Sequence, residues 1–184
     1  MQAHEISRTP QVFISYTHDS DHHCDQVRDF ATLLVNNGIV VELDQWATGP
    51  RQDWQVWATR FMTSYDYVLV VASEGYRRMG DGNGPADRNL GGQAEAALLR
   101  DLLQGDRKTW TAKILPVLLP GQDIEGIPLF LQPYAADRYP IASLTVEGAD
   151  GLLRTITGQP RHLRPPLGRP LVLPPESGPG AGPS

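Results

Sequence analysis

Short unbroken apolar runs alternate along this chain with longer stretches in which apolar side chains return every three or four positions. The short runs predict strands at residues 11–16, 39–43, 67–72 and 113–119, with a weaker fifth at 138–142. The longer stretches predict helices. Val27, Phe30, Ala31 and Leu34 make one helical stripe, closed by Asn36, Asn37 and Gly38, and Trp54, Trp57, Ala58 and Phe61 make a second. A third helix is predicted after Gly91 and Gly92, carrying Ala94, Leu98, Leu99, Leu102 and Leu103, and a short last one over residues 148–156. Alternating strand and helix is the pattern of a parallel sheet with helices on both faces. The predicted fold is therefore α/β, a flavodoxin-like three-layer αβα sandwich around a five-stranded parallel sheet. With strand order 2-1-3-4-5, a ligand crevice opens at the carboxyl ends of strands one and three, where the order reverses.

Composition narrows the classes of function. The 184 residues, 40% apolar, can bury one good core, so one domain is expected. A net charge of -5 and the lack of a basic block argue against a nucleic-acid or anionic-membrane surface. No apolar run approaches the ~20 residues that span a bilayer, and the first ten residues hold no apolar signal region, so a cytoplasmic location is expected. The single cysteine, Cys24, precludes an internal disulfide and agrees with a reducing compartment. Eight of the sixteen prolines fall in the last 25 residues. The expected division is a lead over residues 1–9, a domain over 10–157 and a Pro/Gly-rich tail or linker over 158–184.

The strand ends hold the candidate chemistry. Tyr16, Thr17 and His18 follow strand one, Asp44 and Trp46 follow strand two, and Ser73 and Glu74 follow strand three. Each polar residue taken singly also reads as a turn or cap, and Asp19, Ser20 and Asp21 are all suited to capping the next helix. Their joint placement at one sheet edge points to a ligand site. Glu95 is sharper still, because at 100° per residue it lies between Leu98 and Leu99 on an otherwise apolar face. Two readings stand: an acid in the first helical turn held by free amides and the helix dipole, or a carboxylate pointing into the crevice with its pKa raised by partial burial.

Other chemistries fit less well. His18, His22, His23, Cys24 and Asp25 suggest a metal cluster, but His18 precedes the expected helix start, His22 and His23 point about 100° apart, and no second ligand group appears before His162 in the tail, so no metal is expected. No G-x-G-x-x-G or Walker lysine follows strand one, and strand three ends in Ala72 and Ser73 where a phospho-acceptor receiver carries an aspartate. The long segment from Glu74 to Leu90, with its glycines at 80, 82 and 84, reads as a loop that either folds over a ligand or is disordered.

The runs Val12 to Asp19 (V-F-I-S-Y-T-H-D), Gly38 to Trp46 (G-I-V-V-E-L-D-Q-W) and Tyr67 to Ser73 (Y-V-L-V-V-A-S) together resemble the SEFIR branch of the TIR-like superfamily, over residues 10–157. The resemblance implies a TIR-type fold whose members either assemble homotypically in signalling or cleave NAD. In the catalytic members a glutamate on the helix after strand three is essential, and Glu95 falls on that position. The residues after strand one, here Thr17 and His18, and the loop from Asp44 to Asp53 match the nucleotide-contacting and assembly loop. Two departures stand out: Gly91 occupies the place where many TIR enzymes carry tryptophan, four residues before the glutamate, and the loop reads Ala47-Thr-Gly-Pro50.

The function expected from this resemblance is that of a signalling or immune effector of bacterial type, with antiviral defence one role among such members. It would cleave the N-glycosidic bond of NAD to nicotinamide and ADP-ribose or a cyclic product when self-assembled. Glu95 is the expected catalytic residue, and Tyr16, Thr17, His18, Asp44, Trp46, Gly49 and Ser73 the expected nucleotide-binding set. NAD is then a substrate and no cofactor is called for. Expulsion of neutral nicotinamide from a pyridinium needs no general acid, so one carboxylate suffices. The alternative is a non-catalytic module that self-associates, or joins other TIR or SEFIR domains, through the loop after strand two. A nucleoside N-glycoside transferase on a related fold is a third.

Overall fold

The computed structural model describes residues 8–84, 90–176 and 178. Five parallel strands, β1 (Gln11–Ser15), β2 (Val40–Glu42), β3 (Tyr67–Val71), β4 (Ile114–Leu118) and β5 (Tyr139–Pro140), form one sheet in the order β2-β1-β3-β4-β5. This is the expected order, with its reversal between β1 and β3. Each strand is a residue or more shorter than the sequence predicts, because the apolar run outlasts the pairing. Tyr16 and Ala72, for example, are buried beyond the last ladder positions.

Among the described residues six helices cover the faces: α1 (Asp21–Asn36), α2 (Trp54–Ser64), α3 (Glu74–Gly80), α4 (Leu90–Gly105), α5 (Arg107–Lys113) and α6 (Asp150–Thr157). The sheet divides the core in two. Val12 and Ile14 of β1, with Leu69, Val71, Leu115 and Val117, pack against the apolar stripes of α1 and α6. Phe13, Val68, Val70 and Leu118 face the other way, onto Ala58 and Met62 of α2, Tyr76 and Met79 of α3, and Ala96, Leu99 and Leu103 of α4. Central strands with both faces covered read as continuous apolar runs, which is why β1, β3 and β4 are plain in the sequence.

Three expectations change. The segment after β3 begins with α3, capped by the Ser73 hydroxyl, which accepts from the Tyr76 N–H at 3.1 Å. This helix is seven residues long and polar apart from Tyr76 and Met79, so it carries no sustained period; residues 85–89 of the expected loop lie outside the described residues. Next, α4 begins at Leu90, ahead of Gly91 and Gly92, so Glu95 is in the second turn and not the first. Its backbone is inside the helical ladder, and the reading of Glu95 as an acid at free first-turn amides falls away. Finally, in α2 the buried positions are Ala58 and Met62; Trp54 opens the helix and is 45% exposed, edge-on to Trp57 at 5.4 Å. After α6, whose C-terminal cap is Gly158 with φ +66, residues 159–176 form neither helix nor strand, and Leu163, Leu167 and Leu171 are exposed.

One close approach fixes the end of β3. Gly126, in the 3-10 turn Ile124–Gly126, accepts through its carbonyl from the Ser73 N–H at 3.2 Å, and a Cβ at Gly126 would stand 2.9 Å from that same nitrogen. Backbone cannot give way as a side chain tip can. Gly126→Ala is therefore expected to lower stability by about 1–3 kcal/mol, the usual cost of overpacking, measured as a lower urea midpoint at unchanged m value.

Candidate active site

The carboxyl ends of β1 and β3 gather two hydrogen-bonded groups of side chains around Glu95. The first is a buried chain. Ser15, the last residue of β1, falls on the α2/α4 side of the sheet by the alternation that also sends Phe13 there. Its hydroxyl donates to Glu95 Oε2 at 2.6 Å and lies 2.8 Å from the hydroxyl of Tyr76, which is fully buried. Ser15 has one proton and gives it to the carboxylate, so Tyr76 must be the donor in the second bond. Burial drives the Tyr76 hydroxyl far above its ordinary pKa, with the Glu95 charge adding to the effect, so it stays protonated and able to donate.

Glu95 has its own pKa raised to about 7. Burial is the main cause, the Ser15 hydrogen bond works against it, and the charges of Asp44 and His18 act in opposite senses, the first upward and the second downward. The residue as a whole is only partly buried, because it also lines a cavity of about 180 Å³ between α2 and α4, beside Gln55 and Thr59 of α2 and Asp101 of α4. That volume is below the ~300 Å³ at which sites for whole small ligands begin. It is large enough for one ring of a ligand at most. A larger cavity, about 630 Å³, lies between α5, β4 and β5; Leu103, Phe130 and Leu131 line it, and no member of the Glu95 network does.

The second group ties the loops together. Asp44, in the 3-10 turn Asp44–Trp46, accepts from the Tyr16 hydroxyl at 2.8 Å and pairs with His18 Nε2, also at 2.8 Å. Burial pulls the Asp44 pKa up, but these two hydrogen bonds and the His18 charge outweigh it and leave the carboxyl below its ordinary value. The hydrogen bond to Asp44 likewise raises His18, against a smaller effect of burial. Gln45 braces the turn by donating to the Tyr16 hydroxyl and to the Cys24 carbonyl, each at 2.9 Å. Thr17 donates to Asp19 at 2.5 Å and so receives the Ser73 hydroxyl's proton, at 2.9 Å. Asp19 also accepts from the Gly75 N–H at 2.8 Å, an approach that only glycine allows, since a Cβ there would meet Asp19 Oδ1 at 2.2 Å.

Set against the expected residues, the structure brings Tyr16, His18 and Asp44 into one network and Thr17 and Ser73 into another, and Glu95 is joined to the sheet through Ser15. Thr17 and Ser73 are buried, at 2% and 1% exposure, with their hydroxyls turned to each other. The Tyr16 ring is also buried, tilted against His18 at 5.0 Å, so Trp46, at 38%, and the His18 imidazole are the rings of this set open to solvent. Gly49 sits in an exposed turn with φ +131. Neither Trp46 nor Gly49 shares a side-chain hydrogen bond or ring contact with the Glu95 network among the described residues. Sequence reasoning missed Ser15, Tyr76, Gln45 and Asp101; of these only Ser15, a hydroxyl inside an apolar strand, left a local signal. Among the described residues no group of three or more His, Cys, Asp or Glu is placed to hold a metal ion, and no helix is long and apolar enough to cross a membrane.

The architecture is that of a TIR-like signalling module. The family model for the SEFIR domain matches residues 10–141, which is most of the chain, and the protein belongs to that family, whose domains mediate homotypic interactions. The chain is similar to the crystal structure of a prokaryotic SEFIR domain, with TM-score 0.61 and 22% identity over 87% of this chain and 99% of the other. A search of curated proteins finds no match.

The raised Glu95 pKa has a sign that can be measured. The folded chain holds this proton more tightly than the unfolded chain, so the stability it confers is full below about pH 4.5 and is lost as pH rises through about 7. Glu95→Gln keeps an acceptor for Ser15 and removes the charge. It should stabilise the protein by on the order of 1–3 kcal/mol at pH 8 and by almost nothing at pH 4, read from thermal or urea unfolding at the two pH values.

Proposed function

We propose that this SEFIR domain cleaves the N-glycosidic bond of NAD, with Glu95 as the catalytic residue. The observation that carries the reading is Glu95 itself: a carboxylate held by Ser15 at the β1–β3 switch point and open to a cavity that admits one ring. In the reaction, the bond between the ribose C1′ and the pyridinium nitrogen breaks and its electron pair goes to nicotinamide, which leaves neutral. Positive charge then develops on the ribose, where an adjacent carboxylate stabilises it and holds the ribose hydroxyls. Water adds to C1′ and loses a proton to give ADP-ribose; attack by a nitrogen of the adenine instead gives a cyclic product. The exposed ring of Trp46 is suited to stacking on a base, and His18 to meeting a phosphate oxygen. Ionised Glu95 is the active form, so activity rises as pH passes through about 7.

The loop after β2 supports a second reading, assembly without catalysis. Trp46, Trp54 and Val56 are exposed at 38%, 45% and 64% within eleven residues of chain, apolar side chains suited to contact with a second copy. The two readings combine if a neighbour's loop completes the crevice, which makes turnover depend on protein concentration.

Nicotinamide release assayed across protein concentration, with products resolved by chromatography, tests the enzyme. Glu95→Ala is expected to lower the rate by roughly 100-fold or more, while equal rates would remove Glu95 from the chemistry. Light scattering tests the assembly: Trp46→Ala should weaken self-association by roughly tenfold, and Glu95→Ala should leave it unchanged.

A further inference from the structure

We propose that Ser15 and Tyr76 are positioning residues for Glu95, a one-way chain of donated hydrogen bonds that favours the ionised carboxylate and leaves its second oxygen for the ligand. This deepens the reading of Glu95 as the reacting group and rests on it.

The geometry sets the direction of the chain. Tyr76 is completely buried, and its hydroxyl has one hydrogen-bond partner among the described residues, Ser15 Oγ at 2.8 Å. If Tyr76 did not donate there, its proton would be buried without an acceptor, a cost this arrangement avoids. With its lone pair taken up by Tyr76, Ser15 is left to donate to Glu95 Oε2 at 2.6 Å. Tyr76 is anchored at its other end, because its backbone N–H is held by the Ser73 cap of α3. Glu95 Oε1 accepts no hydrogen bond among the described residues, so the chain pins one oxygen and leaves the other without a partner there, in a residue that lines the α2–α4 cavity. Hydrogen bonds donated to the charged form favour ionisation, and a donor that itself receives a hydrogen bond is polarised to give more strongly.

The other groups facing the carboxylate are Asp44 and His18 on the strand-end side, Asp101 in the same cavity on α4, and the uncharged Gln55 and Thr59 of α2. Asp44 and His18 are paired with each other and oppose one another in their effect on Glu95. Among the described residues Ser15 is thus the one group hydrogen-bonded to the carboxylate, and it is supplied by a strand.

The test is a titration that needs no turnover. With glutamate side chains labelled at the carboxylate carbon, NMR follows Glu95 in the full chain, assigned by the signal lost in Glu95→Gln. Ser15→Ala and Tyr76→Phe each delete one oxygen, and near-UV circular dichroism checks that each is folded. Ser15→Ala is expected to raise the midpoint of the Glu95 titration by on the order of one pH unit, and Tyr76→Phe to raise it by less. An unchanged midpoint in whichever variant folds overturns the proposal. The kinetic counterpart is a pH profile of nicotinamide release: Ser15→Ala should lose activity at pH 7 and regain most of it at pH 9, whereas loss of packing alone would lower the rate at both. Shifted midpoints in a protein that never releases nicotinamide would sink the enzyme reading and keep the chain; release that depends on Glu95 with unmoved midpoints would do the reverse.

Discussion

The register of β1 against β3 is the constraint on which the rest of the structure depends. Val12 pairs with Tyr67, Phe13 with Val68, Ile14 with Leu69 and Ser15 with Val70. Both strands are buried on both faces, so a slip of one residue would send every side chain to the opposite layer. It would bring Phe13 among the residues that pack on α1 and α6, and turn Ser15 away from Tyr76 and Glu95. The same apolar pairs that hold the sheet together thus determine that one hydroxyl, at the last ladder position, reaches the helix face on which Glu95 sits among leucines. Site and core are specified by a single alignment.

Around that alignment the molecule keeps two carboxyl groups in contrasting states. Asp44 is paired with His18, bonded by Tyr16 and pulled below its ordinary pKa; Glu95 is enclosed by protein, held by one neutral hydroxyl and raised to about 7. Neighbouring acids whose surroundings push them apart in this way take different roles, one a fixed counter-charge and the other a group poised near neutrality. The cost falls on folding, since an acid that resists ionisation at neutral pH is a residue no stability argument would select.

Much of this was legible in one sequence, and the division is physical. The strands, their order and the α1 and α4 stripes followed from apolar runs and period, because elements buried on two faces or along one stripe leave those marks. The helices α3 and α5 did not, since each has seven residues and too few apolar positions to establish a period. Glu95 was visible as an acid on an apolar face, yet its partners were not: Ser15 lies 80 residues from it and 61 from Tyr76, and a contact at that separation leaves no trace in spacing. His18 and Asp44 stood out as polar strand-end residues awaiting a ligand. The fold gives them each other, which only the closing of the loop after β2 onto the end of β1 could reveal.

The sheet that splits the core also acts as an insulator. Side chains under α1 and α6 touch one surface of it, whereas Ser15, Tyr76, Glu95 and the α2–α4 cavity all belong to the other. Val27, Leu34, Leu152 and Ile156 lie across the sheet from Ser15, Tyr76 and Glu95, in the layer that also holds Tyr16, whose hydroxyl is bonded to Asp44. Changes under α1 and α6 can thus reach the site only by way of the Tyr16–Asp44 loop, while the Ser15–Tyr76–Glu95 chain is shielded from them by the sheet.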